Sequence, residues 1–326
     1  MLKQWIGISL GRRKIFLPAT GDFLIEICKG KIMKENFKKI WAERVQIVNE
    51  HLEVELQNTP TIDEKIFEAA HYSLMAGGKR LRPILLMAAA DAISNSGEKF
   101  LPVACALEMI HTYSLIHDDL PAMDDDEYRR GKLTNHKVFG EAMAILAGDA
   151  LLTHAFDVIT RQDAPAEILI SVIREISTAA GIGGMIGGQS IDFQCAGKKI
   201  SMSKLRKMHL GKTGALFRAS VRSGAILAGA SKAQLAALTK YAENFGLAFQ
   251  ITDDILDVIG DAKNLGKSTG SDARKGKSTY VTLMSPDEAK NLAELTVETA
   301  LDSLQIFGNE ADFLRDLVGY LIKRQK

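Results

Sequence analysis

Two acidic knots carry most of the residues in this chain that could do chemistry. Between Leu115 and Lys132 the run LIHDDLPAMDDDEYRRGK sets Asp118, Asp119, Asp124, Asp125, Asp126 and Glu127 directly before Arg129 and Arg130. A second run, ITDDILDVIG, holds Asp253, Asp254 and Asp257. Asp253 and Asp257 stand four apart, on one face of a helix, where like charges repel by a few tenths of a kcal/mol if exposed and more if half-buried. The flanking residues Ile116, Leu120, Ile251, Ile255 and Leu256 are apolar, so the carboxylates ride on core-forming helices. Oxygen donors at this density suit a hard cation; magnesium binds through a few carboxylates and the phosphate oxygens of a substrate. For either knot alone the competing reading is a solvated helix face or an N-cap. Two knots on apolar helices favour a shared site.

A metal of that kind implies a phosphorylated ligand, and such a ligand needs cations. MAGGKRLRP supplies Lys79, Arg80 and Arg82 just after two glycines, where a helix would end and backbone can approach a ligand. YRRGK adds Arg129 and Arg130, HLGKTGALFR adds Lys212 beside Thr213, and NLGKSTGSDARKGKSTY adds Lys267 and Lys277. Arginine grips phosphate through a planar fork and lysine as a point charge. LGKST resembles the end of a phosphate-binding P-loop, but Asp261 stands where that loop has its first glycine and no strand precedes it. His117 reads either as a partner of Asp118 or as a core histidine, and His111, nearly two turns earlier, reads by spacing as structural. No nucleophile–histidine–acid set is evident, so covalent catalysis is not indicated.

Helices must position these groups. None of the seven prolines lies between Pro165 and Pro286, and proline is the residue that breaks helices. From Leu235 to Thr252 the apolar positions recur at three and four, the stripe of a packed helix. A like pattern runs from Ala104 to His117 behind Pro102, near a helix start. Pro121 bars Leu120 from helical geometry, so the chain should loosen there and let Asp118 and Asp124 converge. The fold class expected is all-α, a bundle of roughly ten helices in one domain. Lys and Arg number 41 against 40 Asp and Glu, a net charge of +1, which argues against a general nucleic-acid binder. No run of about 18 uninterrupted apolar residues occurs, so no transmembrane segment is expected. Three scattered cysteines, Cys28, Cys105 and Cys195, fit reduced thiols in a cytoplasmic setting. Residues 1–32 are basic and read as an N-terminal extension or targeting peptide ahead of a domain at 33–326, where an amphipathic pattern begins at Met33.

Together, GGKRLRP, HTYSLIHDDLPAMDDDEYRRGK, AILAGDALL, GGMIGGQSIDF, KTGALFR, FGLAFQITDDILD and LGKSTGSDARKGKSTY resemble the trans-isoprenyl diphosphate synthases, most of all the bacterial farnesyl branch. The resemblance spans about residues 66–283 and implies an isoprenoid-synthase bundle around a central cavity. It also implies a head-to-tail condensation assisted by three magnesium ions, in which an allylic diphosphate ionises, isopentenyl diphosphate attacks and a proton leaves. Its first aspartate motif falls on Asp118, Asp119 and Asp124, its second on Asp253, Asp254 and Asp257, and all six would be magnesium ligands. Arg129, Lys212 and Lys267 would hold the allylic diphosphate. Lys79, Arg82, His111 and Arg130 would hold isopentenyl diphosphate, which reassigns His111. Lys277 joins the substrate-binding set, and Thr213 and Gln250 would lie with Lys212 beside the reacting carbons.

Two extra residues inside the first motif, with Tyr113 and Ser114 five and four positions before Asp118, resemble the bacterial C15 pattern. Tyr113 lies roughly 7.5 Å down the helix, where a growing tail would meet a wall; the competing reading is a ring that packs on a neighbouring helix. A C20 product is the alternative. A terpene cyclase has no use for a second diphosphate site, and non-catalytic subunits tend to lose an aspartate motif that is present here. A homodimer is implied by the resemblance alone.

Overall fold

Helices carry nearly all the regular structure, as the proline spacing and the three–four periodicity predict. The computed structural model describes residues 5–10, 13–18, 22–259 and 276–323. The chain divides into two units, Met1–Glu43 and Arg44–Lys326. The first holds an antiparallel hairpin, β1 (Trp5–Leu10) and β2 (Arg13–Pro18), in register from Trp5 opposite Pro18 to Leu10 opposite Arg13. Helix α1 runs from Asp22 to Gln57, so Met33 falls inside a helix.

In the second unit the order is α2 (Glu64–Leu74), α3 (Leu81–Ser94), α4 (Leu101–Asp118), β3 (Tyr128–Arg129), β4 (Lys132–Leu133), α5 (Asn135–Phe139), α6 (Glu141–Thr160), α7 (Ala166–Ala180) and α8 (Met185–Cys195). It continues with α9 (Met202–His209), a π turn (Leu210–Gly214), α10 (Ala215–Leu227), α11 (Lys232–Ile259), α12 (Tyr280–Leu283), α13 (Pro286–Ser303) and α14 (Asp312–Lys323). Among the described residues the strands are these two short hairpins.

α3 and α4 are apolar on every side, the signature of helices enclosed by others. Ile84–Ala90 and Val103–Ile110 are buried without a break. Pro102 sits in the first turn of α4, where its missing N–H costs nothing. α4 packs on α3 and α6, α3 on α10, and α11 on α10 and α13. Leu86, Leu107, Val158 and Leu216 belong to one fully buried core, each contributing about 1.5–3 kcal/mol. This core holds the end of α4, and α10, on which both α3 and α11 pack, ties to it the helix that carries the second acidic knot.

Glu141–Thr160 and Ala166–Cys195 are long and apolar enough, by length and composition, to cross a membrane. In the bundle α6 turns Ala144, Ala147, Leu151 and Ala155 inward at spacings of three and four, and residues 181–184 interrupt the second stretch between α7 and α8.

Candidate active site

α4 ends at Asp118, because the residue before a proline cannot keep helical geometry. The chain then folds back on itself. The Leu120 N–H donates to the His117 carbonyl at 3.2 Å, and the Asp124 N–H returns to the Asp118 carbonyl at 2.9 Å. Backbone hydrogen bonding thus closes the gap between Asp118 and Asp124, and both line a cavity of about 610 Å³. Burial pushes the Asp118 carboxyl up to about 6; Lys212 and Arg129 pull it down while Asp124 and Asp119 push it further up. Asp119 is 3% exposed and is gripped by Arg129, whose Nε lies 2.8 Å from both carboxylate oxygens and Nη2 2.6 Å from Oδ1.

The far end of α11 supplies the second wall. Asp253 is exposed and lines the cavity. Asp254 borders it but is buried, and Asp257 stands half-buried one turn on, outside the lining. Among the described residues no three His, Cys, Asp or Glu side chains are disposed to cage an ion by themselves.

The cations form two groups. β3 and β4 pair Tyr128 with Leu133 and Arg129 with Lys132, and the turn between them has φ +53° at Arg130 and +78° at Gly131. Two left-handed residues make a type I′ turn, whose twist suits a hairpin and whose second position favours glycine. Arg129 therefore points one way, to Asp119, and Arg130 another, with Nη1 on the Gly77 carbonyl. Near Arg130 lie Lys79, Arg82 and His111, all lining the cavity. Burial lowers the Arg82 guanidinium to about 10, against Glu108, which raises it, and with Arg130, which lowers it further. Its Cζ rests 4.8 Å from the centre of the Phe217 ring. Burial, then the fields of Arg82, Arg130, Arg129 and Arg80, hold the His111 imidazole well below its usual value. It is neutral, with one donor and one acceptor.

The other group surrounds Asp118 and Asp124. Lys212 rises from the π turn, a bulge frequent at functional sites, and its Nζ lies 2.6 Å from Asp192. Lys277 stands 3.8 Å from both Asp124 and Asp192. Burial would raise the Asp192 carboxyl, but Lys212 and Lys277 outweigh it and hold it below the usual range. Beside Lys212, Thr213 Oγ1 donates to Gln250 Oε1 at 3.3 Å. Lys267 lies outside the described residues. One cavity thus gathers carboxylates from α4, α8, α11 and the turn after α4, cations in two groups and a hydroxyl–amide pair.

The polyprenyl synthetase family profile matches residues 63–305. The chain belongs to the polyprenyl synthetase family. It is 46% identical over 282 residues to the farnesyl diphosphate synthase of Micrococcus luteus, covering 86% of this chain and 96% of that one. It is also 46% identical, over 286 residues, to the geranylgeranyl diphosphate synthase of Cyanophora paradoxa, covering 86% and 94%. The crystal structure of a geranylgeranyl pyrophosphate synthetase from Pyrococcus horikoshii superposes with a TM-score of 0.82 at 32% identity, covering 89% of this chain and 99% of that chain. This polyprenyl synthetase is accordingly an enzyme with the helical fold that its sequence predicts.

Within this polyprenyl synthetase several residues bear on the site that the sequence left without a role. Asp192, between two lysines, stands inside GGMIGGQSIDF; a lone acid on an otherwise uncharged helix was the available signal. Arg80 groups with Lys79 and Arg82 in sequence, yet its side chain is fully buried. It donates to Asn49 Oδ1 at 2.9 Å, Glu108 Oε1 at 2.8 Å and the Leu74 carbonyl at 2.7 Å. Glu108, one acid amid the apolar residues of α4, was the sign of that buried pair. His209 borders the cavity against the ring of Tyr280, at 5.4 Å. Asp126 lines the cavity 3.7 Å from Arg129. Asp125 occupies a left-handed turn position. Tyr113 and Ser114 are not among the cavity's lining residues; Tyr113 is 5% exposed, and Ser114 Oγ donates to the His111 carbonyl at 2.8 Å. His117 lies edge-on to Tyr113, with Nε2 3.1 Å from the Ile145 carbonyl.

Proposed function

We propose that this enzyme condenses isopentenyl diphosphate head-to-tail with dimethylallyl and then geranyl diphosphate, giving farnesyl diphosphate. The observation that carries the reading is a single cavity with carboxylates from α4 and α11 and two separate groups of cations. One group, Arg129, Lys212 and Lys277, with Lys267 from beyond the described residues, holds the allylic diphosphate. The other, Lys79, Arg82, Arg130 and neutral His111, holds isopentenyl diphosphate. The allylic C–O bond breaks with its electron pair leaving on diphosphate. The isopentenyl double bond attacks the cation to form the new C–C bond, and loss of a proton restores a double bond. Lone pairs on Thr213 and Gln250 face the developing positive charge, and the walls exclude water that would trap it.

The donor set, all carboxylate oxygen beside cations that suit phosphate, fits magnesium. Asp118, Asp124 and Asp253 would hold the ions, three by the family resemblance, with Asp257 one turn away and Asp119 supporting through Arg129. When bound they supply charge neutralisation of the leaving diphosphate. Product length is proposed as C15 because a bulky buried Tyr113 lies below Asp118. C20 is the second reading, favoured by the similarity to a geranylgeranyl diphosphate synthase. A homodimer is supported by exposed Ile145, Leu146, Ile170, Ile182 and Ile186 on and beside α6, α7 and α8, and a cytoplasmic setting by the free, buried Cys105 and Cys195.

The test is incubation with isopentenyl and dimethylallyl diphosphates and magnesium, then chromatography of the dephosphorylated products. The expected product is C15. Asp118→Ala and Asp253→Ala should each cut turnover by about 10³-fold or more with helical circular dichroism unchanged. Absence of any condensation product from the native enzyme would overturn the proposal.

A further inference from the structure

Asp253 and Asp254 are adjacent in sequence and differ in surroundings. Asp253 is exposed in the cavity. Asp254, although it borders the same cavity, is 2% exposed, and the protein engages both its oxygens. Oδ1 accepts from Gln250 Nε2 at 2.9 Å, and Oδ2 accepts from the Tyr280 N–H at 2.8 Å. We propose that Asp254 is a positioning residue that fixes the Gln250 side-chain amide, and not a metal ligand. The assignment rests on the prenyl-transfer reading above.

A carboxylate only accepts hydrogen bonds, so the end of the Gln250 amide that meets Asp254 is its NH₂. Its carbonyl oxygen is then forced round to the other side, where the Thr213 hydroxyl donates to it at 3.3 Å. Gln250 and Asp254 are four apart on α11, so the helix itself brings them together. The two ends of a glutamine amide are nearly the same size and shape. Without Asp254, packing alone would not stop the group from turning over. Turned over, it would aim an N–H dipole, positive end first, at the carbons where positive charge develops. As held, it aims an oxygen lone pair, the stabilising sign. Oδ2 meanwhile caps the first residue of α12, so the same carboxylate locks α11 to the chain that returns at Tyr280. A magnesium ion demands an octahedral shell that keeps several waters. The open setting of Asp253 accommodates one; a 2% exposed carboxylate with both oxygens occupied does not.

The experiment compares Asp254→Asn, Asp253→Asn and the exchange Asp254→Asn/Gln250→Glu in the full chain, with melting temperatures recorded for each. In the exchange the donor and acceptor trade places across the pair. An acceptor remains for the Tyr280 N–H, and an oxygen remains toward Thr213. Asp254→Asn should lower kcat by about 10²-fold, leaving the allylic KM within about threefold. It should also leave magnesium-dependent binding of methylenediphosphonate, followed by calorimetry, within about threefold. Asp253→Asn should weaken that binding by about tenfold or more. The exchange should recover at least about tenfold of the lost kcat. The proposal falls if Asp254→Asn weakens the magnesium-dependent binding as much as Asp253→Asn does. It falls too if the exchange is folded but no faster than Asp254→Asn alone. Should the single variant fail to fold, the exchange decides: a folded, active exchange upholds the pairing, and an inactive one overturns it. An inactive native enzyme would instead sink the prenyl-transfer reading itself.

Discussion

Tyr113 lies in the packed part of α4, its ring centre 5.7 Å from that of His117. Its hydroxyl is buried without a hydrogen-bond partner, and burial, with Asp118 adding to it, pushes its pKa up to about 12. An unpartnered buried hydroxyl costs about 1–3 kcal/mol, so what this residue offers is the bulk of a ring. Tyr113→Ala should therefore lengthen the product beyond C15 while Tyr113→Phe leaves it unchanged, read by chromatography of the dephosphorylated alcohols. An unaltered profile in a folded Tyr113→Ala variant would remove the residue from chain-length control. Removal of a buried ring costs about 3–5 kcal/mol, so the melting temperature is measured alongside. At this scale the aspartates were the legible part, since acids on apolar helices advertise themselves. Arg80 and Arg82 were not separable. Backbone at the head of α3 sends Arg80 inward from a left-handed position, φ +49°, and leaves Arg82 at the cavity. His111 looked structural by spacing because its companions, the arginines that keep it neutral, come from other segments of the chain.

Elements set the angles at which these side chains arrive, and one close approach governs Lys212. A Cβ at Gly188 of α8 would fall on the Lys212 amide nitrogen and 2.7 Å from the Gly211 carbonyl carbon. Both belong to backbone, which cannot swing aside as a side chain can. Gly188→Ala should therefore displace the π turn, costing about 1–3 kcal/mol of stability and lowering kcat as Lys212 and Thr213 shift. At Gly183 an added Cβ would meet nothing nearer than 3.9 Å, so Gly183→Ala serves as the comparison. Equal melting temperatures and equal kcat for the two variants would show that the approach does not govern the turn. Proline made the end of α4 readable in advance, and the loosened chain at Pro121 lies where its ring requires. Proline was silent on the breaks between Pro165 and Pro286. Those at residues 181–184, at 196–201 and at the π turn come from glycine and from helix-to-helix packing, which a proline count cannot register. The start of α1 at Asp22 likewise precedes the amphipathic pattern, because a helix can extend past the residues that give it a periodic face.

The whole molecule brings acids together, and cations together, around one cavity. α4 ends in Asp118, α11 ends near Asp253, and the core of α3, α4, α6 and α10 keeps those ends at one cavity. The arrangement confers little stability of its own, since carboxylates at one site repel and the cations at its rim repel one another. Ligands should therefore stabilise this fold cooperatively. A diphosphate satisfies the arginines and lysines, and magnesium joins its oxygens to the carboxylates, so each creates half of the other's site. A ligand that binds only the folded state stabilises it by about 2.7 kcal/mol at a hundred times its Kd, which for a chain this long raises the melting temperature by roughly 4 °C. In scanning fluorimetry, magnesium alone and methylenediphosphonate alone should each give small shifts, and the two together a shift well above their sum. Strictly additive shifts would mean that metal and diphosphate occupy independent sites. The bridging of carboxylates to phosphate, on which the function of the cavity depends, would then be wrong.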